Sequence, residues 1–225
     1  MQITLDEVSV LFEEKLILDN INTKLTHKRI GVIGSNGSGK STFLRLLNGL
    51  VHPSSGTVKV NGFDTKNNLK EIRKNVGFLF QNPEHQIIMP TVSEDLLLGL
   101  KALGLNKSEK KKRLEETVEK FNISKFIDQS SHSLSGGEKQ LVALAAIMIT
   151  KPKILVCDEP TTLLDLRNKE LIINTLLNIE CNIVIVSHDL EYFKSFDELI
   201  LFHKGKLVDK GMPDSIINRY LEIIA

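Results

Sequence analysis

Residues 34 to 41 read Gly-Ser-Asn-Gly-Ser-Gly-Lys-Ser, a G-x-x-x-x-G-K-S pattern held between the apolar run GVIG and the helix-like run STFLRLLNGL. A strand that turns through glycines directly into a helix points backbone N–H groups inward at the positive end of that helix, which makes an anion site. The residue types that follow suit a polyphosphate: Lys40 neutralises β- and γ-phosphate oxygens, and the Ser41 hydroxyl ligates Mg²⁺. The candidate nucleotide-binding residues are therefore Gly34, Ser35, Asn36, Gly37, Ser38, Gly39, Lys40, Ser41 and Thr42.

The rest of the chain fits an α/β frame around such a turn. MQITLDEVSV and TVKVNG alternate polar and apolar residues, as an antiparallel sheet does. RIGVIG at 29–34, NVGFLF at 75–80, KILVCDE at 153–159 and NIVIVSH at 182–188 are short continuous β-rich runs that suit strands buried on both faces. Several are followed by helical patterning, which implies a parallel sheet flanked by helices. From Pro83 to about Thr150 the strand-like runs stop, and SEDLLLGLKALGL, SEKKKRLEETVEKFN and GGEKQLVALAAIMIT read as helices. The expected organisation is one domain over 1–225, with a catalytic core at about 1–83 and 151–225 and a helical subdomain inserted at about 84–150.

A second chemical element lies at the end of ILVCDEP. Asp158 and Glu159 leave an apolar strand where a parallel sheet presents catalytic side chains. Beside a phosphate-binding turn, Asp158 holds Mg²⁺ and Glu159 orients or deprotonates the attacking water, because phosphoryl transfer needs an in-line nucleophile and no covalent group. His188 ends NIVIVSHD and belongs to the same sheet edge.

Bulk properties exclude several classes. With 225 residues the chain has room for one nucleotide-binding unit and not for two. Net charge is +1, so no polyanionic partner such as nucleic acid is called for. No apolar run reaches the roughly 18 residues of a membrane span, and MQITLDEVSV has no signal-peptide pattern. Cys157 and Cys181 sit in apolar runs and read as small hydrophobes of a reducing compartment.

Leu134-Ser-Gly-Gly-Glu138 resembles the LSGGQ signature of ABC-type ATPases, and it lies between the phosphate-binding turn and the acidic pair, as in that family. The resemblance covers nearly the whole chain. It implies a P-loop NTPase (RecA-like) core with an antiparallel β region and a helical subdomain, Mg²⁺-dependent ATP hydrolysis, and a head-to-tail dimer with a second ATPase subunit, identical or not. By the same resemblance Phe12 stacks on adenine, and Gln81 is the Q-loop glutamine, a catalytic-site residue and Mg²⁺ ligand. Asp165 is then the D-loop aspartate, and His188 the H-switch. Ser135, Gly136 and Gly137 would contact the γ-phosphate held by the partner. Without the family, Ser135 and the glycines are still a donor-rich turn opening a helix, a second anion site.

Three departures stand out: Glu138 for the usual glutamine, Leu141 where arginine is frequent, and Leu163 where the D-loop usually has a small residue. The first two are expected to be tolerated, since backbone donors and Ser135 carry the phosphate contacts. Leu163 puts close D-loop packing across the dimer in question. FLFQNPEHQIIMPTVSEDLLLGLKALGL further resembles the Q-loop region of energy-coupling-factor transporter ATPases, in their compact biotin or cobalt form. That implies a peripheral subunit at the cytoplasmic face of a membrane, with transmembrane subunits docking near Gln81 to Thr91. The rival reading is a soluble ABC-type ATPase driving an assembly or release process. The basic run Lys107–Arg113 reads as a solvated helix face opened by an Asn106–Glu109 capping box rather than as a lipid contact.

Overall fold

The structure is a computed structural model and describes residues 1–225. Two strands open the chain, β1 (Ile3–Phe12) and β2 (Lys15–Leu25), followed by β3 (Arg29–Gly34) and helix α1 (Lys40–Leu47). Next come β4 (Ser55–Val60), β5 (Phe63–Asp64), α2 (Leu69–Asn75) and β6 (Val76–Leu79). The helices α3 (Val92–Leu100), α4 (Lys107–Lys120) and α5 (Gly136–Met148) then run without an intervening strand. After them β7 (Ile154–Asp158), α6 (Leu166–Leu177) and β8 (Asn182–Val186) restore the alternation, and β9 (Glu198–His203), β10 (Lys206–Gly211) and α7 (Pro213–Ile224) close the chain.

These elements form two compact units. The first holds Met1–Phe78, Lys153–Glu159 and Cys181–Ala225; the second holds Leu79–Pro152 and Pro160–Glu180. The sequence places the whole of 151–225 with the core, whereas here Pro160–Glu180, with α6, belongs to the helical unit. Gly137 shows why α6 goes there: a Cβ added to it would lie 2.2 Å from the Asn168 side chain, so the glycine permits α5 and α6 to approach closely.

Two sheets account for the strands, in the orders β2-β1-β4-β5 and β10-β9-β3-β8-β7-β6. The smaller is antiparallel, with β1 between β2 and β4. In the larger, β3 pairs in parallel with both β8 and β9, β7 pairs in parallel with β8, and only the β9–β10 pair is shown to be antiparallel. β7 is buried at every position, β8 after its first residue and β9 up to its last. Strands covered on both faces need continuous apolar runs; that pattern marks β7 and β8 in the sequence, and β9 is a further strand of the same kind. Cys157 is fully buried in β7, and burial pushes its thiol well above the usual value; the two cysteines form no disulfide.

The second unit caps its helices with side chains. Capping boxes open α3 (Thr91 with Glu94), α4 (Asn106 with Glu109) and α5 (Ser135 with Glu138), and Asp165 accepts from the Asn168 N–H at the start of α6. Each satisfies N–H groups that the first helical turn leaves unpaired. Of α4 only Thr117 is buried, as expected of a solvated helix.

Candidate active site

In the first unit β3 runs into the phosphate-binding turn, and two glycines make the turn possible. Gly34 has φ 146° and a Cβ there would meet Phe202 O at 2.1 Å; Gly39 has φ 102° and faces Leu18 at 2.5 Å. Neither position admits a side chain without displacing its neighbours. Gly39 is the N-cap of α1 and supplies no side-chain cap, so the first N–H groups of the helix are left for another acceptor.

Lys40, 5% exposed, folds back so that its Nζ donates to Gly34 O at 2.9 Å and Ser35 O at 3.0 Å. Burial lowers its pKa, and Glu159 and Asp158 pull it back up. Asp158 is moved the other way: burial raises its pKa, against the Ser41 hydrogen bond and the Arg45 charge. Ser41 Oγ donates to Asp158 Oδ1 at 2.9 Å, and Arg45 approaches Asp158 Oδ2 at 3.8 Å. Both shifts share one cause, charge held away from water; an incoming polyanion would reverse the Lys40 shift, whereas the Asp158 carboxylate would need a cation to arrive with it.

Glu159 stands just past β7 with φ 47°, its N–H donating to Val186 O at 3.1 Å. That left-handed backbone is rare for a residue with a Cβ, and its cost has to be met by the surrounding structure. It brings the Glu159 carboxylate to 2.9 Å from His188 Nε2, joining the two strand ends that the sequence placed at one sheet edge. Asn36, Gly37, Lys40, Ser41, Thr42 and Glu159 share the lining of a cavity of about 460 Å³. Phe12 does not line it: it lies 66% exposed at the β1–β2 hairpin, paired with Lys15.

The second unit carries the remaining candidates. Ser135, Gly137, Glu138 and Asp165 line a cavity of about 760 Å³ within that unit. The Ser135 hydroxyl donates to Glu138 Oε2 at 2.8 Å and its N–H to the same oxygen at 2.9 Å, which holds the Glu138 carboxyl below its usual value. Asp165 is engaged by the Asn168 N–H at 2.9 Å and Nδ2 at 2.8 Å, and its carboxyl is likewise lowered. Leu163 is 63% exposed and Leu141 is buried. Gln81 is exposed, just past the end of β6.

Residues 18–162 match the family model described as ABC transporter. This chain belongs to the ABC transporter family, as an ATP-binding subunit. It is similar over all 225 of its residues to the biotin transport ATP-binding protein BioM of Rhizobium etli, at 42% identity and full coverage of both chains. It is 39% identical to the energy-coupling factor transporter ATP-binding protein EcfA2 of Caldanaerobacter subterraneus, over 96% of this chain and 81% of that one. Among solved structures it resembles the dimeric ATP-binding cassette MJ0796 in a post-hydrolysis state with ADP and Pi, at 27% identity, TM-score 0.79 and coverage of 94% and 98%.

The ABC subunit is an ATP hydrolase, and the first unit has the parts that binding a nucleoside triphosphate requires. The fit to Mg²⁺ can be judged from the donor set. No three His, Cys, Asp or Glu side chains come together as a metal site. A hard cation that keeps its waters and takes one carboxylate, one hydroxyl and substrate phosphates suits the Ser41–Asp158 pair instead. Ser38 Oγ, buried and without a hydrogen-bond partner, is a further polar atom that the turn itself does not satisfy.

Sequence reasoning missed part of the lining of the cavity of about 460 Å³. Lys15, Leu16, Ile17, Lys204 and Gly205 also line it. The β9–β10 turn, with φ 47° at Lys204 and 78° at Gly205, lies against the phosphate-binding turn: Gly205 N–H donates to Ser38 O at 3.1 Å and Asp19 N–H to Gly205 O at 2.9 Å. Lys-Gly between two strand runs signals a hairpin turn. Nothing local says that β9 lies beside β3.

Proposed function

We propose that this chain is the motor subunit of an energy-coupling-factor uptake transporter for a small molecule, a vitamin such as biotin or a cobalt or nickel ion. The observation that carries this reading is the full-length similarity to a biotin transport ATP-binding protein, joined by that to an energy-coupling-factor ATPase. In this reading Lys40 and the turn around it hold the phosphates of ATP, and Ser41 and Asp158 would hold Mg²⁺. Bound there, Mg²⁺ supplies positive charge to the phosphate oxygens. Glu159 takes the proton of the attacking water, with His188 at 2.9 Å orienting its carboxylate. Phe12 stacks on the base, and Ser135, Gly136, Gly137 and Asp165 act on nucleotide held by a second copy or a sister ATPase. The subunit works at the cytoplasmic face of the membrane; none of its own helices is long and apolar enough to cross one.

Transmembrane subunits would dock on the segment from Gln81 to Thr91. Ile88 there is 75% exposed, on a turn whose Ile88 and Met89 N–H groups both donate to Asp95 Oδ1, at 2.9 and 3.1 Å. A large apolar side chain on a pinned backbone can enter a partner's groove without first being ordered. Glu84 is less available, since its carboxylate already pairs with Lys139 at 2.7 Å. The test is to isolate the native assembly from membranes and to follow uptake with Ile88→Glu. Co-purification of membrane subunits with wild-type chain, and loss of both assembly and uptake in the variant with its ATP binding intact, is expected. Purification without any membrane protein would instead assign the chain to a soluble assembly or release process.

A further inference from the structure

β6 is the edge strand of the larger sheet and its last residue is Leu79, so the ladder ends one residue before Phe80 and two before Gln81. Beyond the ladder, two glutamine side chains take over the backbone polar groups of Phe80. Phe80 N–H donates to Gln86 Oε1 at 3.4 Å, and Phe80 O accepts from Gln140 Nε2 at 3.2 Å. Gln86 reaches on to α5, its Nε2 donating to Ala143 O at 3.3 Å, and Lys139 of the same helix holds Glu84 at 2.7 Å. Three links thus tie the segment from Phe80 to Gln86 to α5, and the Phe80–Gln86 bond closes the segment on itself, all within the second unit.

Gln140 is the informative member. It is 1% exposed, and its Oε1 is buried without a hydrogen-bond partner. An orphaned buried acceptor is destabilising, and a methionine fills similar space without one. Packing alone therefore does not explain an amide there, whereas its bond to Phe80 O does.

We propose that Gln140 and Gln86 are positioning residues, which lock the backbone ahead of Gln81 to the helix that begins at Ser135 so that the two residues shift as one body. This rests on the reading of Gln81 and Ser135 as site residues. It means that a displacement at the Gln81 loop reaches the signature turn through α5 and not through a flexible linker, as a packed body with discrete positions requires. The ABC subunit then senses nucleotide through Gln81 and presents Ser135 in one motion.

The experiment uses the full chain with Gln140→Met and Gln86→Met, each alone and combined with Gln81→Ala, and measures kcat and KM for ATP, thermal stability, and hydrogen exchange of residues 80–87. The expected result is a kcat about tenfold lower with KM within about twofold of wild type, because a slightly misplaced group loses rate while the phosphate-binding turn is untouched. Exchange at 80–87 rises while the strands 30–34 and 154–158 stay protected. Adding either change to Gln81→Ala costs nothing more, since residues acting through one group are not additive. Losses that add fully to Gln81→Ala, or a raised KM at constant kcat, overturn the proposal. Should Gln81→Ala itself be slow while the methionine variants turn over and exchange as wild type, only the clamp fails. Full turnover in Gln81→Ala would overturn the reading of Gln81, and the clamp with it. Gln86 is only half-buried, so its variant tests the same link if Gln140→Met does not fold.

Discussion

Two glycine-serine turns open helices in this molecule, and they treat their helix N-termini in opposite ways. At α1 the N-cap is Gly39, no side chain caps the helix, and the polar side chains around it, Lys40 and Ser41, reach to Gly34 O, Ser35 O and Asp158. At α5 the N-cap is Ser135, and Glu138 closes a capping box on it with a carboxylate 2.8 Å from the hydroxyl. The first turn is left open to an anion; the second already holds one of its own. On the proposed reading, the contrast separates a site that binds nucleotide by itself from one that is self-satisfied until a stronger anion displaces Glu138. Such a division suits the proposed reading, in which the second turn acts on nucleotide held by a partner.

The largest effect should come from the chemistry attached to the open turn. Glu159→Gln removes the base but leaves Lys40, Ser41 and Asp158 in place, so turnover is expected to fall about a thousandfold with ATP affinity retained. Measuring both on the full chain checks this, and wild-type turnover in the variant would remove Glu159 from the role. Lys40→Ala and Ser135→Arg then break the comparison directly. The first should weaken ATP binding by the monomer about a hundredfold, through loss of a buried cation on the phosphates, ~3 kcal/mol. The second should leave monomer affinity unchanged and abolish ATP-dependent dimerisation and turnover. If Ser135→Arg impaired nucleotide binding by the monomer, the signature turn would not be a site that acts in trans.

What could be read in the sequence follows the range over which each feature is determined. The turn from Gly34 to Ser41 is one continuous strand-turn-helix passage, so its residue types alone state its geometry. Glu159 and His188 are far apart in sequence but each ends an apolar run, and adjacent parallel strands bring such ends together. The capping boxes at Asn106 and Ser135 are local patterns of the same kind. Lys204–Gly205 escaped because its place depends on β9 pairing with β3, which no local pattern encodes. Helix α6 escaped for a related reason. Alternation of strand and helix assigns it to the sheet, whereas the missing side chain at Gly137 lets it pack on α5. The glutamine clamp was invisible because Gln140 reads as a polar position on an otherwise apolar helix, and only its contact with Phe80 O gives it a role.

Glu138→Gln is the finest probe of the comparison, because it changes the charge of the closed turn and little else. Glutamine can keep the capping box, accepting from Ser135 N–H as glutamate does, so the helix should lose less than about 0.5 kcal/mol. Glu138 is anionic in the native turn, since the Ser135 N–H and hydroxyl bonds lower its pKa and Lys125 adds to the effect. A phosphate approaching Ser135 must therefore displace a carboxylate of its own sign. Neutralising it should lower the ATP concentration needed for dimer-dependent turnover about threefold, equivalent to ~0.6 kcal/mol, while monomer affinity stays at the wild-type value. The gain should shrink as salt is raised, because exposed charges are screened within about 10 Å at 0.1 M ionic strength. A variant that needed more ATP than wild type would show that Glu138 assists the incoming phosphate instead of competing with it. The contrast between an open and a self-closed turn would then give way to two open ones.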